Sequence, residues 1–175
     1  MLDVSVTYNR FKFLGHQYLT WLWYAIETGI CRDIFDNKDQ ITLALGNRIV
    51  LENRRSKDIE TVTIKGDTAD LKEGKLALSK GALVTEIALK IEKERQLWSL
   101  SLKGESLGIG NLKLPETGIV QTSEDFDGAV LEKIYLDETA ISIMNKIFHF
   151  FIKQRVGENW DSKITGSIKK WIAEI

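Results

Sequence analysis

The residues of this chain with the best claim to chemistry are cations, and they come in groups. Arg48, Arg54, Arg55 and Lys57 lie within one short tract. Lys65 stands at the end of a β-branched segment, just before Gly66, Asp67 and Thr68. Lys146, Lys153 and Arg155 follow one another late in the chain, with Lys163, Lys169 and Lys170 behind them. Clustered Lys and Arg neutralise phosphates, and a protein that binds nucleic acid through phosphates needs no base-reading side chains. The same residues also serve as ordinary solvated faces. With 24 Lys and Arg against 25 Asp and Glu, the formal charge is −1, so an anion-binding surface has to arise from local clustering and not from bulk charge.

Other chemistry finds less support. His16 and His149 have no HxE, HExxH or CxxC company, so a histidine metal site would have to collect ligands across the fold. His149 sits in Phe148-His149-Phe150-Phe151 and reads as a core or boundary histidine, whereas His16 fits surface and core equally. GxSxG, P-loop and GxGxxG motifs are absent, and Gly108-Ile109-Gly110 has no helix behind it to cradle a phosphate. Glu73-Gly74-Lys75 with Asp67 or Asp70 resembles a nuclease Asp…Glu-x-Lys, but on a predicted helix instead of paired strands. Glu124, Asp125 and Asp127 match no EF-hand or two-metal spacing and suit the acidic start of a helix. Cys31 is the single cysteine, which excludes an internal disulfide and reads as a buried thiol. No catalytic set and no cofactor are expected.

The elements that must position these residues are legible from periodicity. Leu14, Tyr18, Trp21, Leu22, Ala25 and Ile26 make a wide apolar helical stripe ended by Gly29. Trp23 and Tyr24 lie off that stripe, so the helix is either deeply buried or offers a second face to a partner. From Ile41 to Gly104 the period becomes two. Ile41-Leu45, a Gly46-Asn47 turn and Ile49-Leu51 predict a hairpin, and Ile59–Lys65 a third strand. A short helix is expected over Ala69–Lys80 up to Gly81, with Gly74 weakening it. Leu83–Glu92 and Gln96–Lys103 predict a second hairpin, and Leu107–Leu114 an edge strand closed by Pro115. After a polar loop at Glu116–Asp125 comes a helix over Phe126–Lys153. It carries a stripe of Val130, Ile134, Ile141, Met144, Phe148, Phe151 and Ile152. Gly157 breaks it, and Asn159 or Asp161 caps a last helix through Trp160, Ile164, Ile168, Trp171 and Ile172. Strands in a block between helices make this an α+β protein with a mostly antiparallel sheet of about five to six strands. Its 175 residues form one domain, with 155–175 a helical appendage. The first 13 residues carry no apolar signal core, and no apolar run approaches the ~20 residues of a membrane span, which points to the cytoplasm.

Three stretches, taken in order, resemble the C-terminal half of the recombination-associated RdgC family. They are Phe13-Leu14-Gly15…Leu19-Thr20-Trp21-Leu22-Trp23 with Glu27-Thr28-Gly29; Asp70-Leu71 with Gly81-Ala82-Leu83-Val84-Thr85-Glu86-Ile87-Ala88-Leu89; and Leu107…Leu112-Lys113-Leu114. The likeness runs over roughly residues 13–152, without the family's N-terminal half and with Ala82 where the family often has Lys. It implies a non-enzymatic protein that binds duplex DNA without sequence preference, close to the nucleoid. Such a protein would form a homodimer and meet the recombination machinery as a partner. The candidate DNA contacts are then Arg48, Arg54, Arg55, Lys57, Lys65, Lys146, Lys153 and Arg155. The sharpest of these is Lys65, beside free backbone N–H groups at Thr68–Asp70 that would seat a phosphate. A reading from another class makes the aromatic-rich terminal helices (Trp21, Trp23, Tyr24; Trp160, Trp171) a protein-contact surface without DNA binding.

Overall fold

The structure, a computed structural model, describes residues 13–35, 39–53, 60–65, 68–117 and 123–174, except the side chains of 68–70 and 123–125. Helix α1 spans Phe13–Glu27, and a 3₁₀ turn follows at Ile30–Ile34. Then come strands β1 (Ile41–Asn53) and β2 (Glu60–Ile64), helix α2 (Thr68–Ser79), and strands β3 (Leu83–Lys93), β4 (Gln96–Lys103) and β5 (Gly108–Lys113). The long helix α3 covers Ser123–Arg155; a π-helical turn at Trp160–Ile164 leads into α4, Thr165–Ala173. The strands form one antiparallel sheet in the order β2-β1-β3-β4-β5, so the protein is α+β as its periodicity predicts.

One expected hairpin is instead a single strand. Ile41–Leu45 and Ile49–Glu52 both pair with β3, which two arms of a hairpin joined at Gly46-Asn47 could not do. The Gly-Asn step is absorbed as an irregularity between Leu45 and Ile49. That bulge leaves the inward phase intact, since Ile41, Leu43 and Leu45 stay half-buried while Ile49 and Leu51 are buried. The second hairpin forms as expected, on a two-residue turn with Glu94 at φ 51 and Arg95 at φ 70. Two consecutive left-handed residues match the twist of the strands they join.

The four described helices stand on one side of the sheet, α4 packed on α1 and α2, and on that side Val84, Ile87, Leu89, Ile91, Trp98, Leu100 and Leu102 are buried. Trp98 is fully buried, and its indole Nε1–H donates to the Leu136 carbonyl of α3 at 3.0 Å. Glycines permit two close approaches. A Cβ at Gly15 would stand 1.7 Å from the Gly104 carbonyl oxygen, so α1 touches the backbone at the end of β4. A Cβ at Gly74 would stand 2.3 Å from Ile64 Cδ1 and 2.5 Å from Trp23 Cη2. Gly74, which by propensity should weaken α2, is therefore what lets that helix settle on β2 and α1.

The aromatics of the terminal helices make up the core. Tyr18, Trp21, Phe148, Phe150, Phe151 and Trp160 form a chain of ring contacts, and Trp171 meets Trp23 and Tyr24 edge-on. Trp21, Trp23, Tyr24, Trp160 and Trp171 are all buried, which removes them from the protein-contact surface the sequence suggested. The expected C-terminal appendage is bound in by a polar clasp. Glu27 accepts from Trp23 Nε1 at 2.7 Å and from Trp171 Nε1 at 2.8 Å, and pairs with Lys75 Nζ at 2.9 Å. Lys75 also lies 4.7 Å over the Trp171 ring, so α1, α2 and α4 share one charged joint. Asn159 precedes the last helical segment without a side-chain cap, because its own backbone is already helical.

Helix α3 is roughly 50 Å long at 1.5 Å per residue. It begins a turn before the expected Phe126, placing Glu124, Asp125 and Asp127 in its first turns. The expected apolar stripe is covered only in part. Met144 and Phe151 are buried, whereas Val130 is 39%, Ile134 50% and Ile141 41% exposed. The turns of α3 before Leu136 therefore run past the core, whereas Ile141, between buried Ala140 and Ile143, faces away from it.

Candidate nucleic-acid interface

The face of the sheet turned away from the helices is built from the other phase of the same strands. Alternation places Ala44 on β1, Glu86, Ala88, Lys90 and Glu92 on β3, and Ser99, Ser101 and Lys103 on β4 together on it. Register then aligns these into cross-strand rows. Ala44, Lys90, Ser99 and Lys113 form one row, Ala88, Ser101 and Gly110 the next, and Glu86, Lys103 and Gly108 the third. Small residues fill the middle, leaving a shallow depression of about 350 Å³ lined by Asn47, Arg48, Ala88, Lys90, Ser99, Asn111 and Lys113 among others. Asn111, at φ 51, turns its amide to donate to Ser101 Oγ at 3.3 Å, so the floor is hydrogen-bonded.

Two of the sequence-predicted cations stand on this face. Lys65 directly follows Ile64, whose partner Ile49 directly follows Arg48, so the two stand on adjacent strands one step past that pair. Arg48 Nη1 lies 3.7 Å from Glu86 Oε1, with the Arg48 side chain 49% exposed. The face thus carries Arg48, Lys65, Lys90, Lys103 and Lys113 against Glu52, Glu86 and Glu92. It carries no aromatic side chain among the described residues; its apolar side chains include Val50, the partner of Glu86, and Leu97. Such a surface can hold phosphates and has no platform on which to stack bases.

The remaining predicted cations are elsewhere. Lys146 and Lys153 are exposed on α3 and line an open depression of about 600 Å³ with Ile34, Ile141, His149 and Phe150. Lys146 Nζ is 3.8 Å from Asp39 Oδ2. Arg155 is occupied structurally: its Nε donates to Gln17 Oε1 at 2.9 Å and its guanidinium lies 5.2 Å from the Trp160 ring centroid. Arg54, Arg55 and Lys57 lie outside the described residues, as do Gly66 and Asp67 in the proposed phosphate seat beside Lys65. The structure therefore divides the predicted set between two layers of the molecule. Lys90, Lys103 and Lys113 were missed in the sequence, although the strict alternation of Leu83–Glu92 and Gln96–Lys103 already put them on one side.

His149 departs from its expected core or boundary place, and His16, which fitted surface and core equally, is in the core. His149 is exposed, its Nδ1 2.8 Å from the Asn145 carbonyl of the preceding turn. His16 is 4% exposed and its Nδ1–H donates to the Val84 carbonyl at 2.9 Å, pinning α1 to β3. Cys31 is buried, which pushes its thiol up to about 12. Burial, and next to it the neighbouring Cys31, hold the Tyr18 hydroxyl above its ordinary value as well. Among the described residues, no group of three or more His, Cys, Asp and Glu could hold a metal ion, and no helix is long and apolar enough to cross a membrane. Comparison with known proteins returns no family model, no curated protein and no solved structure that matches this chain.

Proposed function

We propose that this protein binds duplex DNA through the phosphate backbone, without sequence preference and without catalysis, using the open face of its sheet. The observation that carries the reading is the set of Arg48, Lys90, Lys103 and Lys113 standing around a floor of Ala, Ser and Gly, with Lys65 beyond Arg48 toward β2, on a face that no described helix covers. Small floor residues let a rigid backbone approach closely, while lysine stems reach to its phosphates. The described residues of the face offer no aromatic ring, which favours a duplex over a single strand, whose bases would need stacking partners. The excess of two cations on the face, five against three, argues for weak, salt-sensitive binding. The resemblance to the RdgC family supports the same ligand and adds recombination or replication as the setting.

Fluorescence anisotropy of a labelled duplex tests this. Between about 50 mM and about 200 mM salt the affinity should fall steeply, with a log–log slope of about −0.9 for each phosphate contacted. An unlabelled duplex of unrelated sequence should compete equally. Absence of binding at the lower salt, or affinity independent of salt, would overturn the reading.

A further inference from the structure

A cavity of about 600 Å³ lies between the first turns of α1 and helix α4. Helix α1 contributes Phe13, His16, Gln17 and Thr20 to its walls, and α4 contributes Thr165, Ile168, Lys169 and Ile172. Both sets follow the same i, i+3, i+4, i+7 spacing, so each helix gives the cavity one continuous face. The turn from α2 into β3 adds Leu78, Ala82 and Leu83. The last turns of α1 are closed against α4, where Trp171 packs on Trp23 and Tyr24 and donates to Glu27. A volume of several hundred Å³ with mostly apolar walls and a few polar groups suits a small organic molecule.

The polar groups on these walls are of two kinds. His16 is 4% exposed. Its Nδ1 faces the Val84 carbonyl at 2.9 Å, and a carbonyl only accepts, so Nδ1 carries the proton and Nε2 is the acceptor. Nε2 is buried and has no hydrogen-bond partner among the described residues. The hydroxyls of Thr20 and Thr165 donate to the carbonyls of His16 and Trp160, at 2.9 and 3.0 Å, so toward the cavity they too only accept. The charged residues of the lining are Lys169, exposed on α4, and Arg155 against the one carboxylate of Asp161. Buried acceptors thus ask for a donor, and the cations at the surface ask for an anion.

We propose that this cavity binds a small amphipathic organic anion, a ring system with a hydroxyl at one end and a carboxylate or sulfonate at the other. The rings lie against Phe13, Leu78, Leu83, Ile168 and Ile172, the hydroxyl donates to His16 Nε2, and the anionic group meets Lys169. A hydroxyl supplies the donor that a buried acceptor needs, since leaving such an atom unpaired is unfavourable. An inorganic phosphate fits less well, because its oxygens would set lone pairs against Nε2 and it has nothing to lay on the apolar walls. The cavity lies on the helical side of the sheet, so the proposal stands apart from the DNA reading.

Isothermal titration calorimetry of the full chain tests it with two probes. One is a naphthol sulfonate with hydroxyl and sulfonate at opposite ends of the rings; the other is naphthalene sulfonate without the hydroxyl. The naphthol should bind at one site per chain and about fivefold more tightly than the other probe. His16→Asn keeps a side-chain N–H to meet the Val84 carbonyl and removes the Nε2 acceptor, so it should bind both probes equally. Lys169→Glu, at an exposed position that leaves folding intact, should weaken both probes about fivefold. Ile168→Trp, which fills the half-buried wall of α4, should abolish binding of both. These last two variants carry the test if His16→Asn does not fold. No binding of either probe at millimolar concentration would overturn the proposal. So would equal affinity for the two probes in the wild-type chain, or affinities that Lys169→Glu and Ile168→Trp leave unchanged.

Discussion

The two faces of the sheet are made from alternate residues of the same strands, yet they are opposites. Toward the helices β3 and β4 present Val84, Ile87, Leu89, Ile91, Trp98, Leu100 and Leu102, all buried. Away from the helices the same strands present Glu86, Ala88, Lys90, Ser99, Ser101 and Lys103, small or charged. A sheet with one solvated face needs only polar residues there. This one goes further, combining a nearly flat floor with a surplus of cations. The division implies that the inner face sets stability and the outer face sets binding. Substitutions on the two should then change different observables.

The largest effect belongs to the inner face. Trp98→Ala removes a fully buried indole and its hydrogen bond to the Leu136 carbonyl, and should cost roughly 3–5 kcal/mol by denaturant unfolding. A loss below about 1 kcal/mol would place Trp98 at a surface. Next is the joint behind that face. Glu27→Ala leaves Lys75 and the Trp23 and Trp171 indoles without their shared acceptor, and should cost about 2–3 kcal/mol. The same change should leave DNA affinity unaltered.

Alkaline pH should separate the two faces without mutation. The unfolded Cys31 thiol ionises near its ordinary 9.0 and the folded one near 12, so the folded state holds its proton more tightly. That contribution to stability is complete below pH 9 and is lost as pH rises through that window. Tyr18, shifted in the same direction by burial, adds to the loss. The melting temperature should fall above pH 9 and fall less steeply in Cys31→Ala. Identical pH profiles for the two proteins would mean that Cys31 is not buried.

Most of the architecture was legible because it rests on periodicity. The second hairpin, α1, the edge strand before Pro115 and the buried Cys31 all follow from local pattern. Three features did not, each for a tertiary reason. Gly46-Asn47 has the composition of a turn, but β3 pairs on both sides of it and makes it a bulge. Val130, Ile134 and Ile141 have the spacing of a core stripe, but the first two lie on turns before the buried Leu136, and Ile141, between buried Ala140 and Ile143, faces away from the core. His16 and His149 sit in similar local surroundings in sequence, and only the distant Val84 carbonyl separates their roles. The candidate site was half legible. Arg48 and Lys65 stood out as members of basic tracts. Lys90, Lys103 and Lys113 are spread singly over three strands, and register alone brings them together.

The most direct test sets the faces against each other in one titration. Lys90→Glu with Lys113→Glu changes the row across β3, β4 and β5, and Lys153→Glu with Lys163→Glu makes the same charge change on the helical layer. Melting temperatures of both variants should stay near wild type, because all four side chains are exposed. The account predicts that the sheet pair loses duplex affinity at least tenfold, with a salt slope shallower by about two, while the helical pair keeps both. Equal losses in the two variants, or loss confined to the helical pair, would contradict the assignment of DNA binding to the open face of the sheet.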